Sequence, residues 1–588
     1  MTHVIDDIAA ADVTSGEPLG RGQRYDFVIV GGGPNALGIA AYLSKWGFSV
    51  CILEARPEVG GGAENFEPIP GYSCDPHASF FYGGAGPGPE QLELGRYGFR
   101  LSNTTDGIAI RPDGLAQVGQ DAWYKGRKLE VDEMVSMLGF DKPGPMAFLE
   151  FLDALAPHMQ ELLRSIYWTP PYDERWRTTP HEQPWAKVLR DAYAGFDERL
   201  LADISWYEWL TELEIPDPMK CGMLIGAWGN GPHPFWSGMA IPAFTVLQLM
   251  MTTGAAPVGG MHSLAHALAR CALAHGARIF VNSPVSEVIV EDGAAKGVRV
   301  ADESVLQEKT VWANLAVIMN THVRQLPGLV GEQHLSSDFV QRVADLSLKG
   351  GSLYVANMIA SEFPVFKDAP GAFDGKDTPT SWVLNSSTEN LMELMRDVHT
   401  FRTHPTDIDH YAGVWFIGHA AHDKTRLRSR DAYIFDMNLQ VPAPEDHRDG
   451  PDAVNRASDE ILANVKELVR RYAPNMTEDK WIGCYVNTPY DSEFRNMGFV
   501  GGNWMGMRES EEEWWARKPL PELARYRTPI DGLYLCNQTS HPGGLCLIAV
   551  PYNLMHILHE DYDEVSKTEP DWWYPSPWHI TDEDGGTA

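Results

Sequence analysis

Two glycines two residues apart, Gly31 and Gly33, are followed by Ala36 and, roughly 20 residues on, by the carboxylate Glu54. They lie in YDFVIVGGGPNALGIAAYLSKWGFSVCILEAR, Tyr25 to Arg56. Gly31 suits a tight turn, Gly33 the close approach of backbone to a pyrophosphate, and Ala36 the contact of a helix on a strand. The helix opening behind the turn offers unpaired N–H groups to phosphate. Glu54, ending the next apolar run, is placed to accept hydrogen bonds from ribose hydroxyls and disfavours a 2′-phosphate, which argues against NADP.

A second glycine cluster, Gly60, Gly61 and Gly62, follows Glu54 after a loop holding Arg56, in EARPEVGGGAE. A cofactor that continues past the pyrophosphate, as FAD does with its ribityl chain and flavin, needs such a second bare-backbone surface. Acid, spacer and paired glycines together resemble the pattern of glutathione-reductase-type flavoproteins. Glu64 and His77 come next and are expected along the flavin edge, to move a proton or to serve as structural polar groups. A third stretch, IDGLYLCNQTSHPGGLCLIAVPYNLMH (Ile530 to His556), reads as a strand (Leu533 to Cys536), a polar glycine turn and a helix beginning near Gly544. Its helix N-terminus would favour the negative charge of a reduced flavin. His541 in that turn titrates near neutrality, so it either carries a proton or fixes the turn by hydrogen bonding. Tyr552 and Asn553 either reach the ring or pack.

The elements that position these residues are legible from apolar periodicity. A strand at Phe27 to Val30, a helix from about Asn35 to Lys45 and a strand at Ser49 to Leu53 form the first unit. A related unit spans Gly259 to Val300: a helix Ser263 to His275, a strand Arg278 to Val281, then a meander from Val285 through Val290 and a turn to Val298. Val285 is expected beside the adenine, where backbone groups read the base. Asp106 to Thr253 reads as mainly helical, with Met146 to Ser165 one amphipathic helix. Within it WGNGPHPFW, Trp228 to Trp236, is expected to line a substrate cavity or to be ordinary core. From Gly350 to about Tyr490, runs such as SLYVANMIA, YAGVWFIGHAA and DAYIFDMNLQVPA read as strands, interrupted by a helix from about Ala453 to Tyr472.

The fold class expected is therefore α/β: a discontinuous Rossmann-like FAD-binding domain of glutathione-reductase type with an inserted α+β substrate domain. Residues 25–105, 255–330 and 500–560 make the first, 106–254 and 331–499 the second. Residues 1–24 read as a flexible arm, without the basic start and apolar run of a secretory signal. Residues 561–588 read as an acidic aromatic tail whose DWWYPSPWHI docks on its own body or on a neighbouring protomer.

Length and composition agree: 588 residues exceed what one core supports, and 44% hydrophobic residues with 19 Trp, 21 Tyr and 22 Phe fit a folded enzyme. A formal charge of −33 repels nucleic-acid phosphates, so no nucleic-acid partner is expected. Seven scattered cysteines without CxxC pairs suit a reduced cytoplasm. No apolar run is long enough to span a bilayer, the nearest being Ile241 to Met261, while peripheral membrane contact and a homo-oligomer stay open. There is no HExxH and no CxxC pair, and the twenty histidines read as dispersed, so no metal site is expected. GxSxG and GxxxxGK[ST] are absent, which removes hydrolase and phosphate-loop readings.

The GGGPNAL turn, Glu54 with Gly60 to Gly62, the GGM-helix-PVSEVIVEDG unit and LYLC followed by HPGG together resemble the phytoene desaturase and carotenoid isomerase group of FAD-dependent oxidoreductases, within the amine-oxidase-like flavoprotein superfamily. The resemblance implies FAD contacts at Gly31, Gly33, Asn35, Glu54, Arg56, Gly60, Gly61 and Val285, and places His541 to Gly544 with Leu545 at the flavin. Asn537 and Leu545 stand where that group has glycine. The implied activity is dehydrogenation (desaturation) of a hydrophobic, isoprenoid or alicyclic substrate by hydride transfer to flavin N5, with electrons passed to a quinone, another acceptor or oxygen. A redox-neutral double-bond isomerase and a flavin amine oxidase remain open beside it. So does a non-enzymatic prenyl-binding protein of the GDP-dissociation-inhibitor kind.

Overall fold

The computed structural model describes residues 24–102, 107–118, 121–171, 181, 183–304, 306–348, 352–371, 381–399, 408, 411, 414–417, 423–427, 432–508, 510, 513–545 and 547–579. The N-terminal arm other than Arg24 lies outside them, as do Cys546 and Ile580.

Three distant stretches of chain build one seven-stranded sheet. The first supplies β1 (Arg24–Val30), α1 (Pro34–Trp46) and β2 (Val50–Leu53). The second supplies α2 (His262–Ala274), β3 (Arg278–Phe280), β4 (Val285–Glu291), β5 (Ala294–Val300) and β6 (Thr310–Met319). The third supplies β7 (Leu533–Leu535) and α3 (Ala549–Asp561). The order is β4-β5-β6-β1-β2-β3, with β7 also paired to β6. Strands β3, β2, β1, β6 and β7 run parallel, while β4 and β5 return antiparallel. The run FVIV is apolar at every position because it is covered on both faces: Phe27 and Ile29 join one core, Val28 and Val30 another. Register aligns the last residues Val30, Leu53, Met319 and Leu535. The residues that follow them, Gly31, Glu54, Asn320 and Cys536, therefore share one edge, where ligands of parallel sheets bind.

A second, nine-stranded sheet takes its strands in the order Trp481–Asn487, Ser352–Ala360, Tyr433–Val441, Val414–Ile417, Ser381–Leu384, Ile108–Ile110, Leu115–Val118, Asp121–Tyr124 and Arg127–Lys128. All its pairings are antiparallel except Ser381–Leu384 with Ile108–Ile110. In Tyr433–Val441 the buried Phe435, Met437 and Leu439 join the main core. Asp436, Asn438 and Gln440, alternating with them, must face the other way.

Two helix boundaries depart from the sequence reading. The segment expected as one helix from Met146 to Ser165 is two, Pro143–Leu155 and Met159–Tyr167, separated by a 3-10 turn at Ala156–His158. Pro157 lacks the N–H that a continuous helix would use there. The helix expected near Gly544 starts at Ala549, after Leu545 and Ile548 adopt left-handed backbone with φ of 64° and 57°. Among the described residues no helix is long and apolar enough to cross a membrane. Much of Ile241–Met261 belongs to the helix Ala240–Thr253, whose N-terminal ten residues are all buried except Gln248. The aromatic tail docks on its own body: Trp573 packs on Tyr42, Trp46 and Tyr552, Trp572 lies over Lys45, and the Ser576 N–H donates to His556 Nε2 at 2.8 Å.

Candidate functional site

The three stretches are tied together by Asn320, a residue that the sequence reading missed. Its Oδ1 accepts the Gly33 N–H at 3.0 Å and its Nδ2 donates to the Cys536 carbonyl, so one side chain links the ends of β1, β6 and β7. Only its place directly after an apolar strand could have signalled it. Glu54 is buried, and its two oxygens accept the N–H groups of Gly32 at 2.6 Å and Arg56 at 2.7 Å. Burial raises its pKa against those bonds. The segment leading to Val285 lies alongside: Ser283 N–H donates to the Glu54 carbonyl at 2.8 Å and Asn282 N–H to that of Arg56 at 2.9 Å.

These residues fit a dinucleotide. Helix α1 is preceded by Gly33, which offers no side-chain cap and leaves the first-turn amides of Asn35 and Ala36 without intrahelical partners. The two glycine clusters face each other: a Cβ on Gly61, whose φ is 52°, would sit 3.0 Å from the Gly33 Cα. A Cβ on Gly33 would lie 2.6 Å from Asn320 Oδ1. Gly60 is also in left-handed backbone, at φ 122°.

A cavity opens from this edge. One wall is Pro34, Asn35, Gly62, Ala63, Gly544 and Leu545, drawn from the first and third stretches. The opposite wall comes from the second sheet, with Leu353, Asn438 and Gln440, and from the helix Asp217–Gly229, with Ile225, Trp228 and Gly229. Phe80, Tyr82, Phe499 and Trp504 add apolar surface, and Asn230, Gln538, Ser79 and His77 add polar atoms. None of the described residues lining it is Asp, Glu, Lys or Arg. Trp228 was expected here. Asn438 and Gln440 were not, although alternating polar residues in FDMNLQV are the signal of a polar strand face.

Four catalytic candidates were expected at this cavity, and one reaches it. His77 lines it, with Nε2 3.0 Å from Asn487 Nδ2 and Nδ1 3.2 Å from Glu64 Oε1. Burial lowers its pKa, and the Glu64 carboxylate opposes that. Glu64 lies behind His77, ion-paired to Arg56 and, at 3.3 Å, to Arg495. Burial alone would raise its pKa, but His77 and Arg56 hold it at about 2, so it is a paired carboxylate and not a base. His541 is fully buried, bonded through Nε2 to the Ile166 carbonyl at 2.9 Å and covered by the Trp515 ring at 4.6 Å. Burial pushes its pKa down to about 3, so it stays neutral and braces the turn. Tyr552 faces the tail, its hydroxyl donating to the Tyr574 carbonyl at 3.0 Å. Asn553 donates to the Tyr167 carbonyl at 3.1 Å.

Asn537 and Leu545 have separate uses. Asn537 organises the turn: its Oδ1 accepts the Thr539 N–H at 2.8 Å and the Ser540 N–H at 3.2 Å, and its Nδ2 donates to the Thr321 carbonyl at 2.6 Å. Leu545 keeps the left-handed backbone that glycine adopts freely and lines the cavity, a conformation costing roughly 1–3 kcal/mol.

Behind Ser79 lies a buried polar network that sequence reading missed entirely. Asn357 Nδ2 donates to Asp436 Oδ1 at 2.6 Å and to the Asp75 carbonyl at 2.8 Å, and Ser79 Oγ donates to Asp436 Oδ2 at 3.4 Å. Arg426 pairs with Asp75 at 2.9 Å. Burial holds Asp436 well above the usual carboxylate range against the pull of Arg426.

Comparison with known proteins agrees with this geometry. Residues 29–91 match the NAD(P)-binding Rossmann-like domain family. Cyclohexylamine oxidase from Brevibacterium oxydans superposes with a TM-score of 0.53 at 14% identity, over 91% of this chain and 99% of that one. Pyridine nucleotide-disulfide oxidoreductase domain-containing protein 2 from Rattus norvegicus is 25% identical, over 92% of this chain and 94% of its own length. A limonene dehydrogenase polypeptide from Castellaniella defragrans is 23% identical, over 93% and 97%.

Proposed function

We propose that this chain is an FAD-dependent oxidoreductase that dehydrogenates a hydrophobic, isoprenoid or alicyclic substrate. The observation that carries this reading is the cavity itself: cofactor-type glycine backbone on one wall, and a mainly apolar wall bearing neutral amides on the other. In it, residues 25–105, 255–330 and 500–560 form the FAD-binding domain and 106–254 with 331–499 the substrate domain, in an architecture like that of phytoene desaturases. Bound FAD supplies the hydride acceptor.

The chain's own residues do the rest. Gly31, Gly33 and the first turn of α1 bind the pyrophosphate, Glu54 the ribose, and Val285 the adenine. Phe80, Tyr82, Trp228, Phe499 and Trp504 exclude water and hold a greasy skeleton. Asn230, Asn438 and Gln440 orient one neutral polar group of the substrate by donating or accepting hydrogen bonds. His77, neutral and lining the cavity, is the side chain best placed to take up a proton, with Glu64 fixing its ring. Among the described residues the lining has no carboxylate to partner an alkylammonium, which favours a neutral substrate over an amine. The full-length similarity to a limonene dehydrogenase polypeptide supports a terpenoid.

Anaerobic titration of the yellow protein with terpenes, cyclic ketones and alcohols, carotenoids and amines tests this. Bleaching by a neutral terpenoid or alicyclic compound is the expected result. Bleaching by amines alone, conversion without net bleaching after dithionite reduction, or a colourless protein that FAD cannot reconstitute would each overturn it.

A further inference from the structure

Away from the cavity, the twenty histidines are less dispersed than the sequence suggested. His262 and His266 stand four residues apart on α2, so one helical face carries both rings, with centroids 4.0 Å apart. Glu58, from the loop between Glu54 and the second glycine cluster, reaches over them. Its Oε1 lies 2.6 Å from His262 Nε2 and 3.5 Å from His266 Nε2, and the three donor atoms fall within 4.8 Å of one another.

His262 Nδ1 lies 2.9 Å from the Ala63 carbonyl, which only accepts, so Nδ1 carries a proton. In a neutral ring Nε2 then presents a lone pair to a carboxylate oxygen, and something positive must lie between them. A second proton on His262 satisfies that pair. His266 Nε2, in a ring more than nine-tenths buried, faces the same oxygen at 3.5 Å, longer than a well-formed hydrogen bond.

We propose that Glu58, His262 and His266 bind a divalent transition-metal ion of the zinc class. Zinc takes imidazole nitrogen and carboxylate oxygen at about 2.0–2.2 Å, which sets donors of a tetrahedral centre about 3.3 Å apart. The two separations from Glu58 Oε1 bracket that value. The Nδ1–H bond of His262 to a backbone carbonyl is the outer contact that fixes the tautomer of a metal-bound histidine. Glu58 is half exposed, at 54% of its side chain, so the ion has access from solvent and water completes the fourth position. The HSLAH spacing was visible in the sequence, but the Glu58 that completes the set is 204 residues away.

The site clamps a working loop. Asn65 Oδ1 accepts the His262 N–H at 2.8 Å, and a Cβ on Gly60 would lie 2.8 Å from His262 Nδ1, so residues 58–65 wrap closely over the start of α2. Gly62 and Ala63 of that loop form part of the cavity wall. A metal here holds the second glycine cluster in place and takes no part in the reaction.

The test uses the full-length protein, stripped with chelator, dialysed and titrated with Zn²⁺ alone by calorimetry, with Co²⁺ as a spectroscopic substitute. One zinc per chain, cobalt bands beyond the flavin absorbance and a zinc-dependent rise in melting temperature are expected. H266A and E58Q should each weaken zinc binding at least about tenfold and abolish the thermal shift. Glu58 is exposed, so E58Q carries the test if H266A fails to fold. No saturable zinc uptake, or uptake equal in wild type and E58Q, overturns the proposal and leaves an ordinary histidine–carboxylate cluster.

Discussion

The two sheets solve opposite problems. The seven-stranded sheet is apolar on both faces, and what it offers at its edge is backbone: bare glycines, the start of α1, and one acid, Glu54, turned onto the Gly32 amide. The nine-stranded sheet buries one face in the core and presents side chains on the other, with Asn357, Asp436, Asn438 and Gln440 on two adjacent strands. Backbone can recognise a phosphate because every N–H is the same. A substrate's particular polar group needs side chains of chosen type, so variation belongs on the second sheet.

Gly33→Val should break the first half of this contrast most severely. Its Cβ would meet Asn320 Oδ1 at 2.6 Å and untie the link to Cys536, so colourless protein, measured as flavin absorbance per chain, is expected. On the second sheet's side the largest loss should come from Arg426→Met, which leaves Asp75 and Asp436 buried without their cation. About 3–5 kcal/mol should vanish from urea unfolding.

Acid should separate the walls further. Glu64 has a folded pKa of about 2 against an ordinary value of 4.5, so its contribution is present above pH 4.5 and is lost as pH falls towards 2. At about 1.4 kcal/mol per pK unit that is about 3 kcal/mol, and E64Q should flatten this part of the stability profile.

Smaller still, Gln440→Leu should raise KM for an oxygenated substrate about fivefold, the worth of one hydrogen bond near 1 kcal/mol, and leave a pure hydrocarbon unaffected. Least of all, His541→Asn should leave the pH profile of kcat/KM unchanged, because His541 is sealed under Trp515 and takes no proton above about pH 3. A shifted profile would restore it as a proton carrier.

The fold was legible where local pattern suffices. The first strand, helix and strand, the meander from Val285 and the strand SLYVANMIA appear within a few residues of expectation, because burial on both faces or at helical period writes itself into neighbouring residues. Pro157 shows the limit: a single missing N–H split one amphipathic helix in two. The His541 turn shows another. Its polar and glycine-rich composition suggested exposure to a ligand, yet Leu545 and Ile548 delay the helix to Ala549, and the histidine points into the protein.

Spacing and apolar period determined the glycine turns, the parallel strands and the carboxylate at the end of β2, since each depends on residues within one or two elements. Tertiary structure alone decided that Asn320 joins three strand ends, that Glu64 is neutralised by Arg56 and Arg495, and that Asp436 shares a buried network with Asp75. Except for Arg56 and Glu64, eight residues apart, those partners are separated by tens to hundreds of positions. A side chain's charge and access depend on what is folded against it, and that information is carried by no local stretch of chain.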